Sequence, residues 1–245
     1  DVRLDPETNT LAREGVESIM NPFDRHALEE AVRIKEELGG TVIALSMGPP
    51  QAEAVLREAI SCGADEGVLV SDRAFAGADT WATSYTLARA VVTLGNFDLI
   101  LCGKQAIDGD TAQVGPGMAS QLKLPYVTCV QKLRTMDETG LVVERMMDDG
   151  YDVVRLPLPA LLTVVKDINE PRVPSLKGKM RAKKAELRVL RAADIGADER
   201  CIGLAGSPTK VVAVFTPQPR GSRTLFTGTP AEQVEQLVAQ LKGML

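Results

Sequence analysis

The sequence predicts an α/β fold built on a parallel sheet. Stripes of apolar residues at helical spacing alternate along the chain with short, continuous apolar runs. Each of the first three runs leads into a loop rich in Gly, Pro, Asp and Thr. A third observation, a capped amphipathic segment near the end of the chain, adds a C-terminal arm and helix to that sheet.

The elements follow in order. Val2-Arg3-Leu4 and Thr10-Leu11-Ala12 flank Asp5-Pro6-Glu7-Thr8-Asn9, a hairpin or loop excursion. Asn21-Pro22 starts a helix, with Asn as N-cap and Pro at the first helical position. Its apolar stripe is Ala27, Leu28, Ala31, Val32 and Leu38, ended by Gly39-Gly40. Thr41-Val42-Ile43-Ala44-Leu45-Ser46 reads as a strand buried on both faces. Met47-Gly48-Pro49-Pro50 breaks it, and Val55, Leu56, Ala59 and Ile60 make the next helical stripe. Gly67-Val68-Leu69-Val70 is a second strand, residues 71–79 a loop, and residues 80–94 a largely apolar helix. Asp98-Leu99-Ile100-Leu101-Cys102 is a third strand. This β-α-β-α-β order implies parallel strands with helices on the sheet faces. Ligands of such sheets sit beyond the carboxyl ends of the strands. That places the candidate site at the loops 47–50, 71–79 and 103–113.

Beyond Pro125 the pattern changes. Residues 126–133 and 141–146 alternate around Asp137-Glu138-Thr139-Gly140, a hairpin signal. Residues 151–156 and 160–166 are further strands, 169–191 are polar and basic, and 201–225 read as loop. Thr229-Pro230-Ala231-Glu232 is a capping box, after which Val234, Leu237, Val238 and Leu241 share one helical face. That face packs on this domain or on a partner. No internal repeat is present.

Composition narrows the chemistry. The chain has 245 residues, 28 Lys and Arg against 33 Asp and Glu, one His and four Cys. Its net charge of −5 disfavours a general nucleic-acid binder. No apolar run is long enough to span a membrane. Cys62, Cys102, Cys129 and Cys201 form no CxxC pair, which disfavours a zinc site or a disulfide framework and fits a reducing cytoplasm. With His26 the single histidine, a Ser-His-Asp triad or a His-rich metal site lacks its parts.

The segment richest in chemistry is Gly103-Lys104-Gln105-Ala106-Ile107-Asp108-Gly109-Asp110-Thr111-Ala112-Gln113-Val114-Gly115-Pro116, between a strand and a helix near residues 117–122. A helix N-terminus offers N–H groups to a phosphate. Gly109 and Gly115 let the backbone approach a ligand, and Thr111 and Gln113 add hydrogen-bonding groups. Asp108 and Asp110 would repel a pyrophosphate, so they suit ribose hydroxyls, backbone N–H groups or helix caps. A solvated strand-to-helix loop explains the same residues without a ligand. The segment is neither a Walker A loop nor GxGxxG.

Together with the strand before it, this segment closely resembles the signature of the electron transfer flavoprotein beta subunit. Met20-Asn21-Pro22-Phe23-Asp24, Ser46-Met47-Gly48-Pro49-Pro50, Gly63-Ala64-Asp65 and Asn169-Glu170-Pro171-Arg172 agree in order. The resemblance implies a Rossmann-like, adenine-nucleotide-binding domain over residues 1–190, with a recognition loop at about 171–186. It implies a C-terminal arm and helix, residues 191–245, packing on an alpha subunit. Nucleotide contacts would come from Asn21, Pro22, Phe23, Asp24, Met47 and residues 103–114. The family places a strand and a Val-Pro-Asp-type loop just ahead of the position of Asp1, so part of the sheet is expected upstream.

In ordinary members the nucleotide is AMP. In the electron-bifurcating branch it is a second FAD, reduced by NADH. Three features resemble that branch: Asp108-Gly109-Asp110 with Val114-Gly115-Pro116, the loop Asp72-Arg73-Ala74-Phe75-Ala76-Gly77-Ala78-Asp79-Thr80, and Gly206-Ser207-Pro208-Thr209 with Phe215-Thr216-Pro217. On this reading Arg73 stabilises negative charge on a reduced flavin, while Asp79 and Thr80 contact the cofactor or cap the following helix. Trp81 and Met47 line the pocket, and His26 is structural or touches the flavin. The implied partners are the alpha subunit, an acyl-CoA dehydrogenase-type flavoprotein, and ferredoxin or flavodoxin as low-potential acceptor. Leu176, Lys177, Lys179, Met180 and Arg181 would dock the dehydrogenase. The alternatives are an AMP-bound structural subunit and a stand-alone adenine-nucleotide-binding regulator.

Overall fold

The computed structural model describes residues 18–212 and 223–243. A first compact unit ends at Val211 and a second begins at Val212. The excursion expected at residues 2–12 and the segment Phe215-Thr216-Pro217 lie outside the described residues.

The first helix, α1 (Pro22–Leu38), opens with Pro where a missing N–H is harmless and ends at Gly39, whose φ is +84°. It is followed by β1 (Ile43–Met47), α2 (Glu53–Cys62), β2 (Glu66–Val70), α3 (Thr80–Leu94) and β3 (Leu99–Gly103). All six fall where the apolar stripes and runs predict them, within a few residues. Next come α4 (Val114–Leu122), β4 (Tyr126–Asp137), β5 (Gly140–Met147), β6 (Gly150–Pro157) and β7 (Ala160–Val164). The expected hairpin is β4 and β5, antiparallel, with Asp137 opposite Gly140.

The strands form two sheets. In one, β1 pairs with β2, and β2 pairs with a short strand, β8 (Arg188–Leu190), all parallel. In the other the order is β3-β7-β4-β5-β6, mixed in direction. The continuous β1-β2-β3 sheet implied by sequence order is therefore divided. β3 takes β7 as its partner, with Leu99 opposite Ala160 and Gly103 opposite Val164. β7 is buried at every residue, and this pairing satisfies its backbone between β3 and β4. β1 and β3 each keep one edge without a strand partner among the described residues. The α/β class stands, with the three candidate loops leaving the ends of parallel strands.

The polar, basic stretch expected as a loop contains a helix, α5 (Leu176–Lys184). Ser175 caps it, its hydroxyl accepting the Gly178 N–H at 2.9 Å. Gly178 has no room for a side chain, because a Cβ there would collide with the Ser61 carbonyl oxygen at the end of α2. Ala182 is the buried residue of this helix.

The second unit holds α6 (Pro230–Lys242), which begins with the predicted capping box: the Thr229 side chain accepts from the Glu232 N–H, and the Glu232 carboxylate accepts from the Thr229 N–H at 2.7 Å. Its apolar residues Val234, Leu237, Val238 and Leu241 are exposed. Among the described residues no helix is long and apolar enough to cross a membrane.

Candidate functional site

Three loops leave the carboxyl ends of β1, β2 and β3, and the first turn of α1 grips the longest of them. Asn21 stands at the N-cap position of α1, yet its side chain makes no cap bond. Its amide nitrogen donates instead to the Gln105 carbonyl at 2.9 Å and to Asp24 Oδ2 at 2.8 Å. Its amide oxygen accepts the Ile107 N–H at 3.2 Å. Asp24 Oδ1 accepts the Gly103 N–H at 2.7 Å. Gly103 must be glycine, since a Cβ would lie 2.5 Å from Phe23 Cβ. Burial pushes the Asp24 carboxyl up from its ordinary value, partly offset by the Gly103 N–H and the Asn21 amide.

Past this grip the loop opens to solvent. Residues 106–111 are exposed, and Gly109 has nothing within 4 Å of where a Cβ would stand. Asp110 and Ala112 hold left-handed backbone, φ +53° and +55°, which non-glycine residues adopt only when held there. Asp110 is held by the Gln105 amide on its carboxylate and by its own N–H on the Ala106 carbonyl at 2.8 Å. α4 starts at Val114, ahead of the expected residues near 117, and no side chain caps it. Gly115 differs from its expected use. A Cβ there would meet Thr163 Cγ2 at 2.6 Å and Cys102 Sγ at 3.0 Å, so its smallness serves helix packing. Burial, with Asp24 nearby, pushes the Cys102 thiol up to about 12, which leaves it unreactive.

The second wall is the loop after β2 and the start of α3. Arg73 lies exposed in a short turn of 3-10 helix, Arg73–Phe75, without a carboxylate partner among the described residues. Asp79 caps α3, Oδ1 accepting the N–H groups of Trp81 and Ala82, both at 3.0 Å. Its Oδ2 accepts the Thr209 N–H at 2.9 Å and the Thr209 hydroxyl at 2.8 Å. Burial alone would raise the Asp79 carboxyl, but the Ala82 and Thr209 donors outweigh it and hold the group below its usual range. The Thr80 hydroxyl donates to Gln113 Oε1 at 2.9 Å, joining this wall to the long loop. Trp81 is 43% exposed and stacks on Tyr85, ring centroids 6.0 Å apart. Met47, half-buried, closes the end of β1.

Other expected residues turn out to hold the scaffold. His26 Nδ1 lies 3.0 Å from the Asn169 carbonyl oxygen, and the Asn169 amide donates to the His26 carbonyl and to Glu30. The histidine thus pins α1 to the segment after β7. Arg181 donates to the carbonyls of Ile60 and Ala64 at 2.6 and 2.7 Å, fastening α5 to α2. Leu176 and Met180, in contrast, are 78% and 57% exposed, and Lys177 and Lys179 are exposed with them.

Sequence reasoning missed two groups. The buried Glu29 takes Arg172 at 2.8 Å and Arg33 at 2.8 Å, and Arg172 also holds Glu36 at 2.6 Å. Helical spacing sets Glu29 and Glu30 off the apolar stripe of α1, so the pattern gave no sign that Glu29 would be buried and paired. Lys166 Nζ stands 5.2 Å from the centre of the Phe23 ring, and no local pattern announces that contact. Among the described residues no cluster of His, Cys, Asp and Glu is placed to hold a metal ion.

Comparison with known proteins identifies the family. Residues 8–195 match the family described as the electron transfer flavoprotein domain. The chain is 52% identical over 242 residues to the electron transfer flavoprotein subunit beta of Thermoanaerobacterium thermosaccharolyticum, covering 98% of this chain and 92% of that protein. It is 49% identical over 244 residues to the caffeyl-CoA reductase-Etf complex subunit CarD of Acetobacterium woodii, covering 99% and 93%. Identity is 44% over 248 residues with the acryloyl-CoA reductase electron transfer subunit gamma of Anaerotignum propionicum, covering 98% and 92%.

Proposed function

The chain belongs to the electron transfer flavoprotein family as a beta subunit, and from that premise we propose that it is the NADH-accepting, electron-bifurcating half of an alpha–beta pair. FAD would lie at the carboxyl ends of β1, β2 and β3. The observation that carries this reading is the long loop, gripped at its base by Asn21 and Asp24 and open at its tip, beside an α4 terminus that no side chain caps. Such a cradle fits an adenine nucleotide.

Each residue then has a task. The leading N–H groups of α4 would hold the pyrophosphate, since that end of a helix favours negative charge. Asp108, Asp110 and Thr111 suit the ribose hydroxyls. Arg73 brings positive charge to a site that gains negative charge on reduction. The side chains of Met47 and Trp81 would shield the reacting ring from water. Bound FAD supplies hydride acceptance and one-electron release, while the protein binds and orients it.

The partners follow from the surfaces. The exposed apolar face of α6 takes the alpha subunit. Leu176 and Met180 on α5, ringed by Lys177, Lys179 and Lys184, take an acyl-CoA dehydrogenase-type flavoprotein. Two relatives whose names specify caffeyl-CoA reductase and acryloyl-CoA reductase support that partner class. On this reading one electron would pass to this partner by way of the alpha-subunit FAD and the other to ferredoxin or flavodoxin, in the cytoplasm. Flavin and nucleotide content of the purified alpha–beta pair tests the reading. Two FAD per pair is expected; one FAD with one AMP overturns bifurcation in favour of a structural nucleotide.

A further inference from the structure

Two segments 130 positions apart meet on one carboxylate. Asp79 uses one oxygen to order the first turn of α3 and the other to hold both the N–H and the hydroxyl of Thr209. Its own N–H donates to Ser207 Oγ at 2.8 Å, and that buried hydroxyl donates to the Gly203 carbonyl at 2.7 Å. On the other side, the next residue, Thr80, donates to Gln113 at the end of the long loop. A continuous set of hydrogen bonds therefore runs from the loop 103–113, through the start of α3, to residues 203–209. All of it lies in the first unit, which ends at Val211, just past Thr209.

A helix cap needs only one of the two Asp79 oxygens. The second serves a different purpose. We infer that Asp79 is a positioning residue that couples the nucleotide loop to the segment from which the C-terminal arm departs. Nucleotide on residues 103–114 steadies Gln113 and Thr80, and through Asp79 it steadies residues 203–209. Linkage makes the effect reciprocal: order at Thr209 tightens nucleotide binding by the same factor. The inference rests on the nucleotide reading above and adds to it a route by which the arm senses the loaded site.

Hydrogen exchange of the full chain, in its alpha–beta pair, tests the coupling before and after FAD is added to the stripped complex. FAD is expected to slow exchange in peptides covering 103–114 and in those covering 203–211, the latter by about fivefold or more. Thr209→Val should keep protection at 103–114, lose the response at 203–211, and weaken FAD binding about fivefold. Thr209→Ser, which retains both hydrogen bonds, should restore both. Asp79→Ser keeps a capping oxygen while losing the reach to Thr209, and should behave as Thr209→Val does. Protection at 103–114 with no response at 203–211 in the parent chain overturns the coupling alone. Unchanged FAD affinity in Thr209→Val does the same. Absence of protection at 103–114 overturns the nucleotide reading and the coupling with it.

Discussion

Burial works against the Asp24 carboxylate, and its hydrogen bonds to Gly103 and Asn21 work for it. The balance makes this residue sensitive to a change of one atom. In Asp24→Asn the oxygen facing Gly103 can remain, but an amide nitrogen replaces the acceptor that Asn21 needs. Asn21 cannot turn over to compensate without losing Gln105 and Ile107. Losing a hydrogen bond to a charged group costs about 1.5–3 kcal/mol. Nucleotide affinity should therefore fall by about tenfold to a hundredfold, read by titration calorimetry; an unchanged affinity would show that the grip on the loop is dispensable. Residue-level legibility varied for physical reasons. Asn21 and Asp24 were recognisable as a motif, but their task was not, since a side chain at an N-cap position ordinarily turns back on its own helix. Glu29 was not legible, because helical spacing sets it off the apolar stripe and one of its cations, Arg172, lies far along the chain.

Helices α1, α3 and α6 were legible because each shows the sequence a continuous apolar stripe, and α6 adds a capping box. α5 was not, and the structure explains why. It buries little beyond Ala182, carries Gly178 at a point of close backbone approach, and is otherwise basic. Periodicity cannot reveal a helix held on by a glycine contact and by Arg181. Two changes on this element should separate cleanly. Arg181→Ala removes two bonds, to the Ile60 carbonyl in α2 and the Ala64 carbonyl just past it, and should lower stability by about 1–2 kcal/mol, seen as a reduced urea midpoint. Leu176→Ala changes a side chain that is 78% exposed, so stability should move by no more than about 0.5 kcal/mol, while electron transfer to the dehydrogenase slows. If Arg181→Ala instead slowed transfer at full stability, the fastening role would be wrong. The sheet was legible only by strand. That β3 would choose β7 over β1 depends on pairing across sixty residues of intervening chain, which local pattern does not carry.

At the scale of the molecule, the three loops beyond β1, β2 and β3 were readable from the βαβ order alone, whereas the joint at Asp79 was not, because its two sides are so distant in sequence. The stability of the whole carries a pH signature. Glu29, Asp65 and Asp79 are all held below their ordinary values: burial raises each, and Arg172, Lys35 and the α3 and Thr209 donors more than reverse it. Such groups bind fewer protons folded than unfolded. Their contribution is complete above about pH 4 and fades as pH falls through the lowered folded values. Asp24 has the opposite sign, since its raised value makes acidification relieve a buried charge. The urea midpoint should fall between about pH 6 and about pH 3, and fall further in Asp24→Asn, where the opposing group is gone; a midpoint that rises on acidification would reverse this assignment. Finally, the stacking of Trp81 on Tyr85 at the first turn of α3 has an optical consequence, because this is the chain's single tryptophan. An isoalloxazine ring absorbs where indole emits, and adenine does not. Loading the pair with FAD should therefore quench the emission that a Trp81→Phe pair lacks, whereas AMP should leave it bright, so the cofactor's identity can be followed by fluorescence in solution.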